Sequence, residues 1–264
     1  DFEYSTIMKS ITNFIGTALP TLPGLPPYSD LAKNDFSLKL QVFKTDWLQR
    51  FLKTDLIIGQ PVMLSARVND YSRTIHLETQ MPDLTYNGNR YTNGDLHITT
   101  PTDTIECFLS FNKLMEDNHA MAIRLQAKAK DNLLNTKFNW DNHDVKTPFS
   151  GELNVATSLY HNLQNAAEAH IRVQPSHIIL NGSVWNVEPS DVLYRNGDLL
   201  VDHFMVHNNQ QHIIIDGNVS SNDNDSLTVD LNDMEVAYIL NLVDFHAVEF
   251  SGEATGTVMM REPR

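Results

Sequence analysis

The constraint that dominates this chain is a two-residue alternation of apolar and polar side chains, renewed in one segment after another. Phe36, Leu38, Leu40 and Val42 alternate with Ser37, Lys39 and Gln41. Ile105, Cys107, Leu109 and Phe111 alternate with Glu106, Phe108 and Ser110. Met121, Ile123, Leu125, Ala127 and Ala129 alternate with Arg124, Gln126, Lys128 and Lys130, and Leu227, Val229 and Leu231 with Thr228, Asp230 and Asn232. Successive side chains of a strand point to opposite faces, so each segment predicts a strand with one apolar and one wet face. Further strands are expected over 62–68, 74–79, 95–100, 133–140, 152–159, 169–173, 177–180, 199–206, 212–219 and 253–258. Asn87-Gly88, Asn93-Gly94, Asn181-Gly182, Asn196-Gly197 and Asp216-Gly217 punctuate them as turns, the last with a bulge inside a strand as its alternative. No strand–helix–strand alternation appears, so the fold class is mainly β and antiparallel.

Three stretches read differently. Ser5 is placed to cap a helix whose stripe is Ile7, Met8, Ile11, Phe14, Ile15 and Ala18. Pro20, Pro23, Pro26 and Pro27 end that helix and open a stiff linker, so residues 1–35 form a helix-and-linker segment. Residues 46–52 and 235–242 each predict a helix of about two turns. The remainder, 36–264, reads as one quasi-repetitive β region with a subdivision near 150. Residues 37–47 align without gaps on 226–236, each an alternating strand followed by a short helix. Asn93-Gly94-Asp95-Leu96 recurs at 196–199, and Phe149-Ser150-Gly151-Glu152 at 250–253, which predicts repeated hairpin units. These spacings share no single period, which argues against a fixed-length solenoid.

Of the 264 residues, 41% are hydrophobic, enough for a globular core. Lys plus Arg is 19 against 33 Asp plus Glu, a net charge of −14. That balance argues against nucleic acid and against anionic headgroups as main partners. One cysteine excludes an intrachain disulfide and a cysteine-based zinc site. The chain starts without Met and shows no signal peptide or membrane span, and the expectation is a segment cut from a longer protein.

The chemistry-bearing residues are few. His203 and His207 share one strand face with His212 nearby, but a metal needs a third converging ligand, and wet-face histidines are the plainer reading. Asp223-Asn224-Asp225 starts like a calcium loop, yet Thr228 and Met234 stand where Gly and Glu are required, which leaves a hairpin tip. Cys107 lies on an apolar phase and reads as an inert thiol. Asp144, Glu152, Glu168, Asp244 and Glu249 have no spacing that pairs them as an acid and a base. The sequons at Asn181, Asn218 and Asn224 are what an Asn-rich chain produces by accident. No nucleophile, phosphate-loop or metalloprotease motif is present, so no catalytic residue, metal or cofactor is expected.

From about 151 to 258 the chain resembles the TamB and AsmA-like (translocation and assembly module) proteins of Bacteroidetes. The resemblance lies in 171–181 (IRVQPSHIILN), 185–189 (WNVEP), 194–199 (YRNGDL), 212–220 (HIIIDGNVS), 225–227 and 250–256 (FSGEATG). Residues 36–150 match in style only, and 1–35 not at all. The family implies an envelope protein anchored in the inner membrane, with a long β body crossing the periplasm. That body is a twisted antiparallel sheet curled into an elongated groove, a β-taco, with an apolar concave side. The family is associated with moving phospholipid to the outer membrane and with outer-membrane protein assembly beside a BamA-like barrel. It carries no catalytic residues.

Independently of any family, a sheet with one apolar face must cover it with a second layer or with a ligand. Acyl chains would serve, each buried methylene contributing about 0.8 kcal/mol. The expected lining is Ile105, Leu109, Phe111, Met121, Ile123, Leu125, Ile213, Ile215, Leu227 and Val229. The alternative is that the same residues form the cores of two closed β-sandwiches binding glycan or protein. Glycan sites need exposed aromatics, for which Tyr86, Tyr91 and Tyr194 are the candidates, since Trp47, Trp140 and Trp185 lie in apolar contexts.

Overall fold

The structure is a computed structural model that describes residues 6–31, 33–44, 55–115, 119–195, 197–220, 225–235 and 252–260. The described elements are one helix, α1 (Ile7–Ala18), and seventeen strands. They are β1 (Asp35–Val42), β2 (Leu56–Ile58), β3 (Val62–Asn69), β4 (Thr74–Tyr86), β5 (Asn89–Thr99), β6 (Ile105–Leu114), β7 (Ala120–Lys130), β8 (Leu133–Asp141) and β9 (Phe149–His161). There follow β10 (Ala167–Val173), β11 (Ser176–Leu180), β12 (Ser183–Val187), β13 (Ser190–Arg195), β14 (Asp198–Asn208), β15 (Gln211–Val219), β16 (Leu227–Glu235) and β17 (Glu253–Met260). The protein is thus mainly β and antiparallel. It divides into two compact units, 1–152 and 153–264, and the division falls inside β9.

In the first unit β1 pairs with β3, and β3 to β8 follow as a meander in chain order, continued by the start of β9. The turns are short because their residues tolerate positive φ. Asn87 and Gly88 adopt φ of 47° and 77°, and Asp131 and Asn132 of 51° and 63°, as two-residue hairpins demand. In the second unit the rest of β9 pairs with β10, β10 with β13, and β13 to β17 continue in chain order. The β11–β12 hairpin, turned by Asn181 and Gly182 at φ of 48° and 79°, joins this sheet where Val187 pairs with Val206 of β14.

One expected turn is interior to a strand, and Asp216-Gly217 takes the in-strand placement expected as its alternative. Asn93-Gly94 lies within β5, where the register against β6 shifts between Thr92 and Asp95 and Asn93 has φ of 53°. The tetrapeptide at 93–96 therefore contains a bulge, whereas in its copy, whose Asn196 lies outside the described residues, Asp198 opens β14. Asp216-Gly217 lies within β15, Gly217 at φ of 124° with the Ser226 carbonyl where a Cβ would stand. Further register shifts fall between Val201 and Phe204 and between Leu231 and Met234, flanking His203 and Asp233, each at φ of 49°. The short helix expected over 46–52 lies outside the described residues, as does 235–242 apart from Glu235, which closes β16.

Helix α1 differs from its expected stripe. Ser5 lies outside the described residues, and Thr6 takes the N-cap position without a side-chain cap bond. Met8 faces outward, 66% exposed, while Ser10 and Asn13 are buried beside Phe14 and Ala18. Polar residues face inward because they tether the helix. Ser10 Oγ donates to Asp70 (2.8 Å), which also accepts the Asn34 N–H (2.6 Å). At the other end of the helix, Asn132 N–H donates to the Ala18 carbonyl (2.9 Å), and Asn132 exchanges two further bonds with Thr21. Asp70 sits in the β3–β4 turn and Asn132 in the β7–β8 turn, so α1 is fixed to one end of the first sheet. The buried apolar residues of this unit, Phe14, Ala18, Leu19, Ala66, Val68 and Ala129, gather there.

The opposite end of the first sheet holds an aromatic cluster. Trp140 contacts Phe138 (5.5 Å between centroids) and Phe149 (5.9 Å), and its ring covers Gly151 where a Cβ would be. Gly151→Val should therefore destabilise the fold by about 1–3 kcal/mol, the usual cost of overpacking. Denaturant unfolding of the variant checks this, and Ser150→Val should have a much smaller effect.

Candidate functional site

Directly opposed residues of an antiparallel ladder share a face, so the registers assign every strand residue to a side. In the first unit one row runs Leu38, Ala66, Leu77, Ile98, Cys107, Ala127 and Thr136, and the next Leu40, Leu64, Thr79, Leu96, Leu109, Leu125 and Phe138. Six of the expected lining residues fall on this face. Leu109 pairs with Leu125, Phe111 with Ile123, Ile105 with Ala129 and Met121 with Lys113. In the second unit Ile215 pairs with Val229, Ile213 with Leu231 and Leu227 with Gly217, so the other four also share one face of their sheet. All ten are half-buried, and none is among the fully buried residues.

The face in the first unit is wider than those residues alone. Tyr91 packs edge-on against Phe111 at 5.5 Å, and Phe138, Trp140 and Phe149 continue the apolar surface beyond Ile123. The alternation of Leu134, Thr136, Phe138 and Trp140 carries this signal in the sequence. Tyr91 is hidden because the Asn93 bulge breaks the phase of β5. Burial pushes the Cys107 thiol pKa up, as an inert position on this face requires. Tyr86 and Tyr194 are exposed, but they belong to different units.

The other side of each sheet is charged and paired. In the first unit Arg67 meets Asp35 (2.6 Å), Lys128 meets Glu106 (2.9 Å), Lys137 meets Glu152 (2.6 Å), and His97 meets Asp95 (2.8 Å). Phe108, Met63 and Leu133 are apolar residues on this side, the Phe108 ring centroid lying 6.2 Å from that of His97. In the second unit Asp191 accepts from Arg172 (2.8 Å) and contacts His170 (2.9 Å), while Asp230 contacts Thr257 (2.8 Å) and His212 (3.1 Å). Such exposed pairs contribute little stability but mark the wet side.

The histidines do not converge. His203 is the bulge residue of β14 and lies 3.6 Å from Asp216, His207 contacts Glu188 at 2.8 Å, and His212 turns to Asp230. The register shift falls before Phe204, so His203, beside Asp216, and His207, opposite His212, keep the one face that alternation predicts, but each meets its own carboxylate. Among the described residues no three metal-ligating side chains come together. The carboxylates are likewise engaged locally. Asp144 accepts from Thr147 and the Lys146 N–H, Glu152 from Lys137 and Asn139, and Glu168 from Asn162 at 2.6 Å with Arg195 at 3.5 Å. Asp244 and Glu249 lie outside the described residues.

Comparison with known proteins finds no matching family model, no matching curated protein and no matching solved structure. No helix among the described residues is long and apolar enough to cross a membrane.

The wet face sets an acid limit on stability. The Arg172 guanidinium holds Asp191 below the usual carboxylate range, Thr257 and then His212 do so for Asp230, and Asn162 leads for Glu168. Carboxylates depressed by folding stabilise above their unfolded pKa, about 4, and lose that contribution as pH falls through the folded value. The melting temperature should therefore decline below about pH 4. The deficit of Asp191→Asn relative to wild type should be largest near neutrality and shrink toward pH 3, as thermal melts across pH will show.

Proposed function

We propose that the apolar faces shield the acyl chains of lipids, and that the protein acts as a carrier or conduit without catalysing a reaction. The observation that supports this most directly is the first unit's face. There, rows dominated by Leu, Ile, Phe and Ala stand in direct register across seven strands with most of their members half-buried, while Arg67, Lys128 and Lys137 meet carboxylates on the other side. Such a face gains from any apolar cover, and acyl chains supply one without polar recognition. The likeness of 151–258 to TamB and AsmA-like proteins supports a wider form of the proposal. In that form the chain is the periplasmic part of an envelope protein anchored in the inner membrane, handling phospholipid and working beside a BamA-like outer-membrane barrel.

Lipid extraction of the protein purified from an expression host, followed by mass spectrometry, tests the reading. Co-purified phospholipid is expected in wild type. Leu109→Asp combined with Leu125→Asp puts two carboxylates in mid-face and should lower retained lipid about tenfold or more. Gln126→Asp, on the wet side of the same strand, should leave it unchanged. Circular dichroism establishes that the variants fold. Absence of lipid in wild type, even after incubation with vesicles, would sink the reading.

A further inference from the structure

We infer that Lys113 selects and orients the bound lipid, its ammonium receiving the phosphate of a monoanionic phospholipid at the end of the first unit's apolar face opposite α1. This rests on the acyl-chain reading above.

Lys113 ends the apolar phase of β6 that runs through Ile105, Cys107, Leu109 and Phe111. It stands in register with Met121 on one side and Tyr91 on the other, and it is half-buried. Every other strand residue of this phase among the described residues of the unit is uncharged. The contrast with the wet face is chemical. There Lys128 and Lys137 have carboxylates at 2.9 and 2.6 Å, whereas no described carboxylate lies within ion-pair distance of Lys113. A half-buried lysine whose stem lies among apolar neighbours leaves its ammonium with no described carboxylate to meet, and a phosphate oxygen meets it with a charge-assisted hydrogen bond. One lysine balances one negative charge, which matches a phosphodiester.

The two ends of the face are not equivalent. Near α1, Ala66, Val68 and Ala129 are buried, and tethers to Asp70 and Asn132 hold the helix there. Near Lys113 the face ends in Tyr91, Phe111 and Trp140, whose half-buried rings suit a boundary between acyl chain and headgroup. From Lys113 back to Ile105 the strand runs about 26 Å at about 3.3 Å per residue. That exceeds the roughly 15 Å spanned by the chains of one leaflet. The net charge of −14 does not oppose this placement. Glu78, Asp95, Glu106 and Glu152 project from the opposite side, and salt screens them over about 8 Å. Their repulsion acts on a bilayer surface more than on one phosphate beside Lys113.

The test presents the full chain with detergent-dispersed phosphatidylglycerol and diacylglycerol of identical acyl chains in competition, then quantifies retained lipid after gel filtration. Wild type should retain phosphatidylglycerol about tenfold over diacylglycerol. Lys113→Met should abolish the preference while total lipid stays near the wild-type level, and Lys113→Arg should restore it. Equal retention of the two lipids by wild type, or a preference that survives Lys113→Met, would overturn the role of Lys113 and leave the acyl-chain reading standing. Retention of neither lipid would overturn both.

Discussion

Because opposed residues of an antiparallel ladder share a face, a strand's pattern matters only through its register with the next. In this protein the registers join the apolar phases of successive strands into rows seven residues wide, and the polar phases into rows such as Ser37, Arg67, His76, Thr99, Glu106, Lys128 and Asn135. A slip of one residue in any strand would bring its lysines and glutamates onto the apolar side and its leucines into water. The pairs Asp35–Arg67, Glu106–Lys128 and Glu152–Lys137 therefore matter less for the energy they contribute than for the register they favour.

This arrangement leaves an unusual balance of burial. A sheet inside a sandwich would bury Leu109, Phe111, Ile123 and Leu125 fully, yet all four are half-buried. The fully buried apolar residues among those described in the first unit lie instead where α1 meets the sheet. The helix is held there largely by polar contacts from Ser10, Asn132 and Thr21 to turns at one end. Apolar cover is concentrated at that end, and the aromatic residues at the other end contact one another along neighbouring strands.

Much of this arrangement is legible in the amino-acid sequence. Strands β1, β6, β7 and β16 follow from alternation alone, and Asn87-Gly88 and Asn181-Gly182 are hairpin turns because Asn and Gly tolerate positive φ. The ten lining residues follow from phase, and the registers put them on the apolar sides. What alternation does not carry is whatever depends on partners distant in sequence. Strands β12 and β13 are too short to alternate convincingly. The inward face of α1 includes Ser10 and Asn13, whose partners lie at Asp70 and Ser29. Asp131-Asn132 contains no glycine and so gives no clear hairpin signal.

Three bulges show how the apolar faces survive breaks in the pattern. Leu96 and Tyr91 are five residues apart, Val201 and Phe204 three, and Leu231 and Met234 three; strict alternation would put the members of each pair on opposite sides. Each pair is separated by a left-handed residue, Asn93, His203 or Asp233, at φ of 53°, 49° and 49°, and in each case the register against a neighbouring strand shifts there. An extra residue in one strand reverses its phase, which returns the second apolar residue to the side of the first. His203 is thereby accounted for as the residue that takes up the left-handed conformation, a position where His is tolerated better than a β-branched side chain. At each of these points the sequence breaks its own alternation, and the backbone restores the apolar side that the broken pattern would have lost.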